Sequence, residues 1–307
     1  MTFTVLCSGQ GGQHSAMFDL FAEEAGVSLL IARADECARF DLVAAVASDA
    51  MFGNEIAQPL ICAYQGITWS LLASRLAAAA VVPSIVAGYS VGELASHGCA
   101  GSLSWADVIA LARDRATSMS AAGGDGNGLL AIRGLARGEI DTLLATHGLF
   151  IAIVNGNDQF IVGGAGLSLI AMAADVAGRG GSTQRLPVGI AAHTPLLRDA
   201  VAPFRKELER RTWKDPQIPV LAGLDGSAVR DAQTAIDVLA RQIANPIQWS
   251  TCMDAIRERG TTVCLELGPG NALARLLHER HPDIAVRSVA DFRSIDAVVE
   301  WVVDESR

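Results

Sequence analysis

No lysine- or arginine-rich run occurs in the 307-residue sequence, and the formal net charge is −9. That argues against a nucleic-acid or anionic-membrane surface. A small anionic substrate fits only if positive charge is gathered locally. The six cysteines, Cys7, Cys37, Cys62, Cys99, Cys252 and Cys264, form no Cys-x-x-Cys pair and no disulfide framework. In a chain of this length they read as reduced, mostly buried thiols of a cytoplasmic protein. The amino end has no basic segment followed by a long apolar run, so no signal peptide is expected. The run from Leu71 to Val82 is broken by Arg75 and stopped by Pro83, too short to cross a bilayer. No metal constellation and no Gly-Lys-Ser/Thr phosphate loop is present. Gly9-x-Gly11-Gly12 lacks the spacing of a dinucleotide fingerprint, so nothing calls for a bound cofactor.

What is there is globular: 50% hydrophobic and 19% charged residues, enough for a large core. Thr2 to Cys7 is β-rich and ends in Ser8-Gly9-Gln10-Gly11-Gly12-Gln13. A long helix is expected over Gln58 to Ala80, then a buried strand at Ser84 to Gly88. Helices follow at Val91 to Cys99 and Ala106 to Ala121. Strand, sharp turn, helix is the α/β pattern. After the break at Ala122 to Gly128 the elements read β-α-β-β-α-β, the order of a ferredoxin-like unit. The expected fold is therefore α/β. A large α/β-hydrolase-like domain (1–125 and 189–307) carries an inserted ferredoxin-like subdomain (126–188). The large domain resumes with a strand at Ile218 to Ala222, helices near Ala232–Ala244 and Ser250–Glu258, a strand at Thr262 to Leu267 and a helix after Pro269.

Gly88-Tyr89-Ser90-Val91-Gly92 fits the G-x-S-x-G nucleophile elbow. Such an elbow needs glycines where side chains would collide. It leaves the serine at a helix N-terminus, where amides favour a developing oxyanion. The pattern alone equally describes an ordinary strand-to-helix turn. A serine also needs a base. Among the six histidines, His278 and His281 read as solvated and His147 as a helix-end residue. His97 points down the helix after Ser90. His193 follows the last subdomain strand and can return to the domain junction, although a capped loop histidine reads the same way. Arg115 shares a helical stripe with Val108, Leu111 and Met119 and so faces the apolar side. A guanidinium there needs an anion, either an internal carboxylate or that of a substrate.

In their order along the chain, these pieces resemble the malonyl-CoA:acyl-carrier-protein transacylases over nearly the whole length. The motifs are Gly9-Gln10-Gly11-Gly12-Gln13, Gly88-Tyr89-Ser90-Val91-Gly92-Glu93, Arg115 with Met119, and Asn155-x-Asn157-x-Gln159. His193, Asn245-Pro246-Ile247-Gln248-Trp249 and Glu266-Leu267-Gly268-Pro269-Gly270 complete the set. The resemblance implies Ser90 as nucleophile, His193 as its base and Gln248 orienting His193. It implies an oxyanion hole from the Gln10 and Val91 amides, Arg115 on the malonyl carboxylate, and Asn157 near the cleft. Malonyl-CoA would be the donor and an acyl carrier protein the partner, in a ping-pong exchange.

Three positions depart from the family pattern: Tyr89 replaces histidine, Ser8 proline, and Ala192 the usual phenylalanine or serine. Tyr89 and the run His193-Thr194-Pro195-Leu196-Leu197 resemble the malonyl transferase subunit of malonate decarboxylases, whose acceptor is a dedicated carrier subunit. The alternatives are a housekeeping transacylase of fatty acid synthesis, a serine hydrolase and a non-catalytic acyl-carrier-binding subunit. The hydrolase would need an acid between serine and histidine, for which Asp158 is available.

Overall fold

The computed structural model describes residues 2–307. Ten strands follow in chain order: β1 Phe3–Cys7, β2 Ile85–Gly88, β3 Asn127–Arg133, β4 Phe150–Val154, β5 Gln159–Ala165, β6 Ser182–Arg185, β7 Val220–Leu221, β8 Ala228–Val229, β9 Val263–Glu266 and β10 Ala285–Ser288. They form a six-stranded sheet, ordered β10-β9-β1-β2-β7-β8, and a four-stranded sheet, ordered β4-β5-β3-β6. In the larger sheet every pairing is parallel except β7 with β8. Its inner strands β1, β2 and β9 are buried along their whole length. That follows from helices covering both faces, and it is why these strands read as mostly apolar runs, broken only by Thr4 in β1 and Glu266 at the end of β9.

The helix Asn54–Ala78 is buried over most of its length and packs along the helix Trp105–Ala122. The second of these starts one residue before the expected Ala106 because Ser104 caps it, its hydroxyl accepting from the Asp107 amide at 3.1 Å. The strand expected over Ile218 to Ala222 contracts to Val220 and Leu221, the residues that find partners in Val86 and Ala87. The helices Val27–Ala38, Arg198–Glu209 and Ile295–Glu305 and the strand β10 were not anticipated. Pro203 inside Arg198–Glu209 reads as a breaker, yet the chain stays helical around it. Among the described residues, no helix is long and apolar enough to cross a membrane.

The smaller sheet is antiparallel throughout, with the helices Arg137–His147 and Gly166–Gly178 inserted between its strands. Its core is separate, built on residues such as Leu130, Ile140, Phe160, Val162 and Met172. The two layers are stitched by backbone: the Val154 amide donates to the Ile247 carbonyl (2.9 Å) and the Ile247 amide to the Ala152 carbonyl (3.0 Å). Tyr89 adds a side-chain tie, its hydroxyl donating to Asn155 Oδ1 at 3.1 Å while its ring packs edge-on against Trp249. His281, expected to be solvated, is instead largely covered and hydrogen-bonded to Asp254 at 2.9 Å.

Candidate active site

The strand β2 ends at Gly88 and the helix Gly92–Cys99 begins four residues later. To make that reversal Ser90 takes φ +57°, the left-handed region that a non-glycine residue enters only at a cost. A Cβ on Gly88 would overlap the Gly92 carbonyl, and one on Gly92 would overlap the Cys7 carbonyl. The glycines thus let the elbow lie against the end of β1, and Ser90 is left at the head of the helix.

His193 also sits at positive φ, +62°, and its backbone amide donates to the Ile243 carbonyl at 2.9 Å. Its Nδ1 lies 2.7 Å from the Gln242 backbone carbonyl and its Nε2 2.7 Å from Ser90 Oγ. A carbonyl only accepts, so Nδ1 carries the proton and Nε2 presents a lone pair to the serine hydroxyl. The ring is 1% exposed. Burial, and next the nearby Arg115 charge, push its pKa down to about 3, against the opposing pull of the Gln242 carbonyl. The imidazole is therefore neutral and able to take a proton.

Arg115 is 2% exposed and lies where the stripe argument places it. Its Nη1 donates to Gln58 Oε1 at 2.7 Å and its Nη2 to Gln242 Oε1 at 3.0 Å, with a long 3.5 Å contact to Ser90 Oγ. No carboxylate pairs with it among the described residues, so the internal ion pair is not what holds it. Neutral amides grip the fork directly, and the nearest acid acting on it, Glu93, reaches it only through Gln242. Burial lowers its pKa to about 10, which keeps it a cation at neutral pH.

The loop after β1 is tied down on three sides. Gln65 Nε2 donates to the Ser8 carbonyl (2.8 Å), Ser8 Oγ to Glu266 Oε1 (2.6 Å), and the Gly11 amide to Gln13 Oε1 (2.5 Å). Among the described residues, the Gln10 and Val91 amides donate to no backbone acceptor. Both are therefore free to serve an incoming oxygen.

The contact expected of Gln248 is not made. Gln248 heads the helix Trp249–Glu258, its amide donating to the Gly223 carbonyl at 2.8 Å, and it makes no hydrogen bond to His193. The partner of His193 is the main chain of Gln242, because the chain passes beside the imidazole at the end of the helix Ala232–Gln242. Asn157 is exposed in the turn between β4 and β5; Asn155, at the end of β4, meets Tyr89 instead. Asp158 is exposed in that same turn and does not reach His193. Gln242 and Gln58 escaped the sequence reading although the signal used for Arg115 was present. Gln242 continues the stripe Ala235–Leu239, and Gln58 the stripe Ile61–Gln65.

Chemically, the site holds a hydroxyl on a neutral base, two free amides and a buried cation, which suits acyl transfer of a group bearing a carboxylate.

The family model described as the acyl transferase domain matches residues 4–299. The malonyl CoA-acyl carrier protein transacylase of Mycobacterium tuberculosis is 28% identical over 296 residues, 95% of this chain and 97% of that protein. An acyl-carrier-protein S-malonyltransferase from Burkholderia pseudomallei superposes with a TM-score of 0.90 at 28% identity, covering 98% of this chain and 100% of that one. A malonyl-transacylase solved in complex with a type II PKS acyl-carrier protein gives a TM-score of 0.90 at 25% identity, covering 98% and 99%. With an α/β fold shared along the full length and a match over nearly every residue, the chain belongs to the acyl transferase domain family and is an acyltransferase.

Proposed function

We propose that this protein moves a malonyl group from malonyl-CoA to the phosphopantetheine-type thiol of an acyl carrier protein through an ester on Ser90. The observation that carries the reading is Arg115, a buried cation beside Ser90 Oγ with which no carboxylate of the described residues pairs directly. A malonyl carboxylate supplies the missing anion as a bidentate pair. Ser90 Oγ attacks the thioester carbonyl as its proton passes to His193 Nε2. The oxyanion is met by the Gln10 and Val91 amides, each contributing about 3–4 kcal/mol. The intermediate collapses, the C–S bond breaks, and the CoA sulfur leaves with the proton from His193. The carrier thiol then reverses the sequence, giving its proton to His193 as its sulfur attacks the malonyl-serine.

A general acyl carrier protein, as in fatty acid synthesis, is the better acceptor. The relatives named above carry the acyl-carrier-protein name, and Tyr89 spends its ring and hydroxyl on Trp249 and Asn155. The malonate decarboxylase reading, which leaned on Tyr89, gives way. The hydrolase reading is weakened because His193 Nδ1 meets a peptide carbonyl rather than an acid. We read the architecture as an α/β-hydrolase-like layer carrying a ferredoxin-like insert. The element order β-α-β-β-α-β and the antiparallel order β4-β5-β3-β6 support that insert.

The test is intact-mass analysis after mixing with malonyl-CoA without acceptor. A malonyl ester on Ser90, absent in Ser90→Ala and slow in His193→Ala, is expected, followed by transfer to a fatty-acid-synthesis carrier. An adduct on a cysteine, or none, overturns the scheme. Faster transfer to a decarboxylase carrier restores the other acceptor.

A further inference from the structure

Glu93 stands in the first turn of the helix that Ser90 leads into, a place where an acid usually serves the helix dipole at the surface. Here it has no exposed surface at all. Its Oε2 accepts from the Gly223 amide at 3.0 Å and from Gln242 Nε2 at 2.5 Å, while its Oε1 is buried with no partner among the described residues. The other end of the same Gln242 amide, Oε1, accepts from Arg115 Nη2. A side-chain amide has one donating and one accepting end, a guanidinium only donates, and an ionised carboxylate only accepts. Glu93 therefore dictates which way the amide points. A flipped amide would set N–H against the guanidinium.

We propose that Glu93 is a positioning residue and the buried counter-charge of Arg115, and that it takes up a proton when a substrate carboxylate binds there. This rests on the proposed role of Arg115 as the carboxylate receptor. Two anions served by one buried cation cannot both be well compensated, so the arrival of the second neutralises the first. The groups acting on Glu93 are Arg115 from the helix Trp105–Ala122, Gln242 from the helix Ala232–Gln242, Gly223 and Asp225 from the segment after β7, and Cys252 from the helix Trp249–Glu258. The cation among them is Arg115. Burial keeps the Cys252 thiol neutral, and Asp225 pushes the Glu93 pKa the same way as burial does. Burial lifts the Glu93 carboxyl to about 7, against the hydrogen bonds from Gly223 and Gln242 and the Arg115 charge. The unpartnered Oε1 is where the proton would sit.

The experiment measures KM and kcat for malonyl-CoA and acetyl-CoA across the neutral range in wild type, Glu93→Gln and Glu93→Leu. In wild type the malonyl KM should climb as pH rises past about 7, approaching about tenfold per pH unit for one proton taken up; the acetyl KM should stay flat. Glu93→Gln keeps a carbonyl for both hydrogen bonds but has no charge, so its malonyl KM should be low and pH-independent. Glu93→Leu frees the Gln242 amide and should lower malonyl kcat/KM about tenfold or more, with a smaller effect on acetyl. Glu266, also lifted to about 7 by burial, is common to wild type and Glu93→Gln, so their difference isolates Glu93. An identical pH dependence in wild type and Glu93→Gln overturns the proposal, as does equal loss for both acyl groups in Glu93→Leu. Should Glu93→Leu not fold, the Glu93→Gln comparison alone decides. Wild type that forms no Ser90 ester sinks the functional reading as well, whereas an ester with a flat malonyl KM sinks only the role of Glu93.

Discussion

On the proposed reading, a single side chain, Arg115, carries the acyl selectivity. Gln58 and Gln242 hold its fork as neutral partners, so on that reading an acetyl group would leave the guanidinium without a direct anion. Losing that pairing costs on the order of 3–5 kcal/mol in a buried site, or roughly 10²- to 10⁴-fold in rate. Arg115→Ala should cut malonyl transfer by about that factor and leave acetyl transfer unchanged or raised. Arg115→Lys should recover little, because a point charge cannot reproduce the fork. Measuring kcat/KM for both donors decides; equal losses would make Arg115 structural. The same scale separates the two glutamines. Gln248→Ala should leave ester formation within about threefold, a change worth well under 1 kcal/mol, since His193 is oriented by main chain. Gln242→Ala should keep that carbonyl yet lose the amide on Arg115, so it should hurt malonyl more than acetyl. Single-turnover acylation by the two variants separates these outcomes.

At the scale of elements, the elbow is the demanding piece. β1, β2 and the helix Gly92–Cys99 meet so closely that Gly92 lies against the carbonyls of Cys7 and Ser8. Gly92→Ala must push the helix off β1, and the strained Ser90 and His193 backbones leave little slack, each already costing on the order of 1–3 kcal/mol. The variant should lose about 3 kcal/mol or more and acylate poorly. Urea unfolding of this variant beside Gly138→Ala, where a Cβ meets nothing, is the control. Equal midpoints would show that the elbow has room.

Across the whole molecule, buried titratable groups set the pH range of stability. Burial drives His97 and His193 down to about 3, with Arg115 adding to the effect on His193. Their contribution is complete above the unfolded value near 6.5 and drains away as pH falls toward 3. Burial lifts Glu93 and Glu266 to about 7, so their contribution is full below about 4.5 and lost as pH rises through 7. Stability should therefore be greatest in mildly acidic solution. Among the described residues neither ring nitrogen of His97 has a partner, and the ring packs edge-on against Trp213. His97→Leu should retain on the order of 2 kcal/mol more than wild type near pH 4, relative to their neutral values. Denaturant midpoints at both pH values measure this; parallel decline in the two proteins would exonerate His97.

Local signals in the sequence decided a good deal. The β-rich runs of β1, β2 and β9 declare strands of an α/β fold. Gly88 and Gly92 around Ser90 declare a tight reversal. The stripe through Val108, Leu111, Arg115 and Met119 places a cation inside. Each of these rests on periodicity or backbone sterics within about a dozen residues, which the sequence carries openly. The tertiary structure decided the rest. Whether His193 is oriented by Gln248 or by Gln242 depends on how the end of one helix passes a loop from another layer. Asn155 rather than Asn157 faces Tyr89 because of where the turn after β4 begins. Glu93 looks like a surface helix-start acid until Gly223 and Gln242 are packed over it. Hydrogen bonds between residues 130 or 149 positions apart leave no periodic trace, because only the packing of finished elements brings such groups within 3 Å.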